Sequence, residues 1–459
     1  MKNQRVQIEK RLLPKVGLIN LGCVKNQVDS EVMLHQLNEA GFSLTPHEEE
    51  AEIIIINTCG FIESAKRESI EMIIDLGKLK KTGQCKTLVA TGCLTQRYGD
   101  ELLKELPELD AVVGTASYSK IAEICKDILE QKGKKKKRSS WISEPTALYD
   151  EAQTGRMRIG PGHFAYVKIS EGCDKACSFC IIPEMRGKMR SRPIPALVDE
   201  VNRLAASGVR EANLIAQDLT SYGRDLGEVQ LIPLLKELVK TDIDWIRLLY
   251  NYPHPFPDQL MDLIANEPKI CNYVDMPLQH IDEEILKKMN RIHKQDYTLN
   301  LITRMRNRIP NLVLRTSLIV GFPGETDRHF QTLYDFVKET RFDRLGVFIY
   351  SREEDTPAGE MENQVAEEIK QERWETLMEL QKEISLENHQ KLVGSVQRGL
   401  VSGLSEETDL LLEGRYYGQM PEGDGLVYIN EGTASPGEMV DVEIVEAHPY
   451  DLVGSIIPK

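Results

Sequence analysis

A chain of 459 residues, 41% hydrophobic and 28% charged, has room for roughly two to four packed domains and is too balanced for a disordered or fibrous protein. Its net charge of −15 weighs against nucleic acid as a direct partner, because phosphates must be neutralised by basic side chains, and points to a small molecule or a basic protein. Residues 1–15 lack an apolar leader core and no stretch nears the ~20 apolar residues of a membrane helix, so a cytoplasmic setting is expected, in which nine cysteines form no disulfide framework.

Over residues 14–130 short apolar runs alternate with helical stretches. Residues 15–20, 52–57, 86–90 and 111–113 read as strands; residues 30–39, 64–80, 98–106 and 121–131 read as helices. This alternation predicts an α/β domain with a doubly wound parallel sheet and helices on both faces. Residues 131–160, led by the charge run at 132–140, are expected to be a solvated linker. Over 161–390 a second alternation supplies six strands, at 165–169, 212–216, 245–249, 273–275, 313–320 and 345–350, with helices between them. That order predicts a partial (β/α)6 barrel with ligands at the carboxyl ends of its strands. Its last helix, 366–391, carries Ile369, Leu377, Leu380 and Ile384 at helical spacing and is expected to pack along that stripe. Residues 391–458 form short β-rich pieces between Gly and Pro turns, the pattern of a small all-β, OB-like barrel.

The cysteines carry the chemistry. Cys173, Cys177 and Cys180, spaced C-x3-C-x2-C, lie on a loop after the first barrel strand. Thiolates suit zinc or iron–sulfur clusters. A structural zinc ion wants four ligands, and the nearest histidine, His163, precedes the strand. Three thiolates on a four-iron cube would leave one iron open to a chelating ligand. Cys23, Cys59 and Cys93 each follow a strand and precede a helix, and such positions gather along the ligand-binding edge of a doubly wound sheet. They are candidates for a second metal centre. Cys85, Cys125 and Cys271 have no such setting and are expected in the core. Gln217 after the second barrel strand, His280 after the fourth, Gly321 and Glu325 after the fifth and Tyr350 after the sixth lie at the predicted active face, as candidate cofactor contacts.

Residues 172–180 resemble the cysteine motif of the radical S-adenosylmethionine superfamily, and 318–326 resemble its late glycine-containing motif. With Leu21-Gly22-Cys23-Val24-Lys25-Asn26-Gln27-Val28-Asp29-Ser30, Asn57-Thr58-Cys59-Gly60-Phe61, Thr91-Gly92-Cys93-Leu94 and Met189-Arg190-Ser191-Arg192, the chain resembles the methylthiotransferase family from about residue 14 to its end. Around Cys23 it is similar to the RimO branch, although Val24 stands where proline is common. That resemblance implies an N-terminal methylthiotransferase domain, a radical S-adenosylmethionine domain and a C-terminal TRAM barrel. It implies S-adenosylmethionine as cofactor and two [4Fe–4S] clusters, on Cys23/Cys59/Cys93 and on Cys173/Cys177/Cys180. It also implies β-methylthiolation of an aspartate of small-subunit ribosomal protein twelve. The rivals are a tRNA-adenosine methylthiotransferase and a non-catalytic metal-binding ribosome-assembly factor. Twelve acidic against four basic residues over 391–459 suit a basic protein partner better than RNA.

Overall fold

The computed structural model describes residues 13–130, 138–146 and 155–458, so positions 132–137 of the expected linker charge run lie outside the described residues. The chain divides into two compact units: Met1–Ile159 with Glu184–Gly187, and Gly160–Pro183 with Lys188–Lys459.

In the first unit, strands β1 (Lys15–Asn20), β2 (Ser43–Leu44), β3 (Ile53–Thr58), β4 (Thr87–Gly92), β5 (Ala111–Val113) and β6 (Ser139–Trp141) form one parallel sheet in the order β2-β1-β3-β4-β5-β6. Every residue of β3 and β4 is buried, which is why the run Ile53 to Ile56 shows no polar alternation. Ile53, Ile55 and Val89 pack with Val32, Leu37 and Ile124 on one face; Ile54, Ile56 and Leu88 pack with Ile73, Leu94 and Leu102 on the other. The helix after β1 thus covers one face and the helix after β3 the other, so winding reverses between these neighbours. Such a switch point opens a crevice at the carboxyl ends of the strands.

Three expectations are corrected here. Residues 139–141, placed in the linker, are a sheet strand paired with β5. The helix expected at 30–39 starts at Val24, because its polar first turns, with Lys25, Asn26, Asp29 and Ser30, are buried rather than solvated. The helix expected at 98–106 runs Cys93–Glu105, and Tyr98 is a non-helical residue within it.

The second unit holds β7 (Phe164–Lys168), the small ribbon β8 (Ser170–Glu171) with β9 (Arg190–Ser191), and β10 (Glu211–Ile215), β11 (Trp245–Leu248), β12 (Ile270–Asp275), β13 (Val313–Val320) and β14 (Arg344–Ile349). Apart from the ribbon, these strands are parallel and lie side by side in chain order, as an open six-stranded half-barrel. Helix Glu367–Gln390 packs Leu377 and Ile384 into its core, but Ile369 is 41% exposed, so the expected apolar stripe is incomplete at its start. Lys370 and Arg373 are buried in that turn instead, serving the loops they reach.

Strands β15 (Val396–Leu404), β16 (Leu412–Tyr416), β17 (Val427–Glu431), β18 (Met439–Ala447) and β19 (Leu452–Ile456) close a barrel around Val401, Ile429, Val442 and Leu452. Residues of β16 and of the connection to β17 meet the half-barrel through buried polar groups. Arg415 and Arg247 both bind the fully buried Glu211, at 2.6 and 2.7 Å. Arg247 also donates to the Tyr417 carbonyl, and the Tyr273 hydroxyl donates to Asp424. Arg315 links Asp275, at 2.8 Å, to Asp424, at 3.4 Å.

Candidate functional site

The carboxyl ends of β1, β3 and β4 bring three thiols into one another's field. Cys23 is the residue before helix Val24–Glu39 and Cys93 opens helix Cys93–Glu105, so two helix N-termini face this edge with their partial positive charge. The turns depend on glycine. Gly22 has φ +86°, and a Cβ there would lie 2.7 Å from the Cys59 Cβ; Gly92 has φ +100°, and a Cβ there would lie 2.5 Å from the Thr58 carbonyl oxygen. Gly172, before Cys173, also has a positive φ, at +80°. Below the thiols, Asn26 donates to the carbonyls of Leu21 and Thr58, Asn57 donates to the carbonyl of Asn26, and the Thr58 hydroxyl donates to the carbonyl of Thr91. These bonds lace the three turns together.

Gly92→Ala is expected to cost well beyond the ~1–3 kcal/mol of left-handed strain alone, because the methyl also strikes backbone. Gly208→Ala, at φ +96° with open space around its Cβ, is the matched control. Denaturant unfolding and bound iron check this: Gly92→Ala loses both stability and metal, Gly208→Ala only stability.

Burial pushes the Cys93 thiol up to about 12 against the opposing pull of the Arg186 guanidinium, and burial also raises Cys59. Arg186, 3% exposed, donates from Nε to Cys93 Sγ at 3.2 Å and from Nη1 to Asp29 at 2.6 Å.

In the second unit, Cys173, Cys177 and Cys180 follow β8. The loop is fastened on several sides: Ser178 N–H donates to the Met289 carbonyl, Ser178 Oγ to that of Lys288, Asn290 to that of Ala176, and Ala358 N–H to that of Ser178. The Lys175 N–H lies 3.4 Å from Cys173 Sγ and the Arg291 guanidinium 3.7 Å from Cys177 Sγ. The Tyr252 ring sits between Lys175 Nζ, at 4.1 Å, and Arg291, at 4.6 Å. Burial lifts Cys173 to about 11 and Cys180 to about 12.

Neither trio has the spacing of a single-ion site. With Zn–S near 2.3 Å, tetrahedral sulfurs stand about 3.8 Å apart. Among the described residues, only Asp282, Glu284 and His329 form a group of three such ligands all within 4.8 Å of one another. There the cation's place is taken: Arg328 lies 2.9 Å from Glu284, and Asp282 and His329 cap helices. The more open cysteine trios, ringed by N–H donors, fit a multi-iron core.

The expected cofactor contacts fare unevenly. Gln217 keeps a partly exposed side chain and donates to Glu171 at 2.7 Å, and Glu171 also holds Lys168 at 2.9 Å. Glu325 and His280 are instead shut inside the wall, with no exposed side-chain surface. Glu325 binds Arg373 and the Gly321 N–H, and its other oxygen faces His280 Nε2 at 3.6 Å. Gly321 is buried too. Tyr350, 3% exposed, packs edge-on to Phe322. Cys85, Cys125 and Cys271 are core residues, as expected. Sequence reasoning missed Arg186, Arg291 and Glu171. Glu171 and Arg186 lie within or just beyond the cysteine motif, so their neighbourhood was a signal; Arg291 carried none.

Comparisons with known proteins agree with this layout. Residues 15–114 match the family described as "Uncharacterized protein family UPF0004", residues 167–337 the radical SAM superfamily and residues 393–457 the TRAM domain. The chain is 49% identical over 445 residues to a protein of Geobacter sulfurreducens named "Ribosomal protein uS12 methylthiotransferase RimO", covering 96% of this chain and 98% of that one. It is 50% identical to the protein of the same name from Myxococcus xanthus, covering 96% and 91%. Among solved structures, the radical S-adenosylmethionine methyltransferase TsrM of Kitasatospora setae shares the fold, with TM-score 0.55, 16% identity, and coverage of 84% of this chain and 80% of that one.

Proposed function

The chain belongs to the RimO family of ribosomal protein uS12 methylthiotransferases, and on that premise we propose that it places a methylthio group on the β-carbon of an aspartate of uS12, using a [4Fe–4S] cluster on Cys173, Cys177 and Cys180 and a second on Cys23, Cys59 and Cys93. It is a radical S-adenosylmethionine enzyme that transfers a sulfur-containing group. A β-hydrogen beside an ionised carboxylate is out of reach of a side-chain base, which is why the reaction calls for a radical route. When bound, the first cluster would supply the electron that cleaves S-adenosylmethionine and the second the sulfur, with a further S-adenosylmethionine as the source of the methyl group.

The chain's own residues do the rest. The Lys175 N–H and Arg291 hold negative charge on the Cys173 and Cys177 sulfurs, and the bonds to Ser178 and Asn290 fix the loop that carries them. Gln217 and Glu171 form a polar edge at the carboxyl end of the strands, suited to the polar groups of S-adenosylmethionine. Exposed Glu406, Glu407 and Asp409 on the C-terminal barrel suit a basic ribosomal protein. A ribosomal substrate suits a cytoplasmic enzyme. No helix among the described residues is long and apolar enough to cross a membrane.

The observation that carries the two-cluster reading is the pair of cysteine trios, each at the ligand-binding edge of its own parallel sheet and each too open for one ion. Anaerobically reconstituted protein should bind about eight iron and eight sulfide per chain, falling by half when Cys23, Cys59 and Cys93 become alanine. Four in the unsubstituted protein overturns the second cluster. Mass spectrometry of uS12 and of tRNA from a deletion strain checks the substrate: the methylthio group is expected to vanish from uS12, and its loss from a tRNA adenosine alone would assign the rival activity.

A further inference from the structure

In the first unit the only residues from beyond position 159 are Glu184–Gly187. This stretch is firmly seated. The Met185 carbonyl accepts the Thr115 hydroxyl at 2.6 Å, and Met185 and Arg186 are 1% and 3% exposed. Arg186 divides its donors among three kinds of acceptor: a sulfur (Cys93), a carboxylate (Asp29) and an amide oxygen (Asn26). The carboxylate is itself buried, and Asn26 is the residue that ties the β1 and β3 turns together. A guanidinium costs much to bury, and a neutral core thiol needs no such partner. The arrangement suits a centre whose sulfurs carry net negative charge.

We propose that Arg186 is a positioning residue for the Cys23/Cys59/Cys93 centre: its Nε–H bond to Cys93 and its buried charge favour the more reduced state of that centre, and Asp29 opposes and tunes this bias. The inference rests on the two-cluster reading. Its physical basis is that the potential of an iron–sulfur centre follows local charge and hydrogen bonds to sulfur. A fixed cation 3.2 Å from one sulfur stabilises an added electron, and removing it disfavours reduction. Neutralising Asp29 leaves the cation uncompensated and favours reduction. The two substitutions therefore move the potential in opposite directions, which loss of packing alone would not do.

The experiment is an anaerobic redox titration followed by electron paramagnetic resonance. The full chain carries alanine at Cys173, Cys177 and Cys180, so that only this centre reports. Arg186→Gln is expected to lower the ratio of reduced to oxidised centre about tenfold at fixed potential, equal to about 59 mV for one electron. Asp29→Asn is expected to raise the ratio, and Arg186→Lys, which keeps the charge, to recover most of the Gln variant's loss. Should Arg186→Gln fail to retain iron, Asp29→Asn and Arg186→Lys still decide the sign. Potentials that do not move, or that move the same way in Arg186→Gln and Asp29→Asn, overturn the assignment while leaving the centre in place. A background protein that binds no iron overturns the two-cluster reading and this inference with it.

Discussion

Alanine at both Cys173 and Cys177 will cut formation of 5′-deoxyadenosine from S-adenosylmethionine by more than about a hundredfold. Loss of a single outer partner of a metal ligand costs about 10–100-fold in affinity or activity, and here two of three ligands go at once. Cys180 cannot hold the centre alone. Desolvation pushes its half-buried thiol up to about 12, and it keeps its proton unless metal displaces it. The loop itself should survive, because the bonds that Ser178 donates to Met289 and Lys288 and that Asn290 donates to Ala176 involve neither sulfur. The assay is anaerobic incubation with dithionite, with 5′-deoxyadenosine measured by chromatography and circular dichroism as the folding control. Undiminished cleavage by the folded variant would show that the cluster is held elsewhere.

The second large effect is structural. Glu211→Gln should lower the apparent melting temperature by on the order of 10 °C, since removing one member of a buried ion group costs about 3–5 kcal/mol and each kcal/mol shifts a domain of this size by about 2–4 °C. The amide cannot satisfy both Arg247 and Arg415, which are buried with it. The effect has a pH signature. Burial raises the Glu211 carboxyl, but Arg415 and Arg247 outweigh it and leave it below the usual carboxylate value of 4.5. A depressed carboxylate contributes its stability above the unfolded value and loses it as pH falls through the folded one. The gap between wild type and variant should therefore be full at neutral pH and close only once pH drops below 4.5. A gap that stays constant as pH falls well below that value would show that the charge is not what holds the C-terminal barrel in place.

What the sequence showed and what it hid divide along local and distant interactions. Both cysteine trios, the strand–turn–helix setting of Cys23, Cys59 and Cys93, and the order of the half-barrel strands were legible, because every strand, turn and helix among them has its own short local pattern. Ser139–Trp141 was not: three residues at the end of a charge run look like linker until β5 offers them an edge. The buried polar start of helix Val24–Glu39 was hidden for a related reason. Nothing local marks Asn26 and Asp29 as buried until Thr58 and Arg186, from far along the chain, come to meet them. Strand position located Glu325 and His280 at the correct end of the half-barrel. It could not show that Arg373, on the last helix of that domain, would claim Glu325 and turn it into the wall.

The glycines before Cys23, Cys93 and Cys173 share a positive φ, between +80° and +100°. A side chain at any of the three would be strained, so each of these thiols is presented by a turn that only glycine adopts at little cost, while Cys59, after Thr58, needs none. The same two-residue device thus serves a doubly wound sheet and a half-barrel alike.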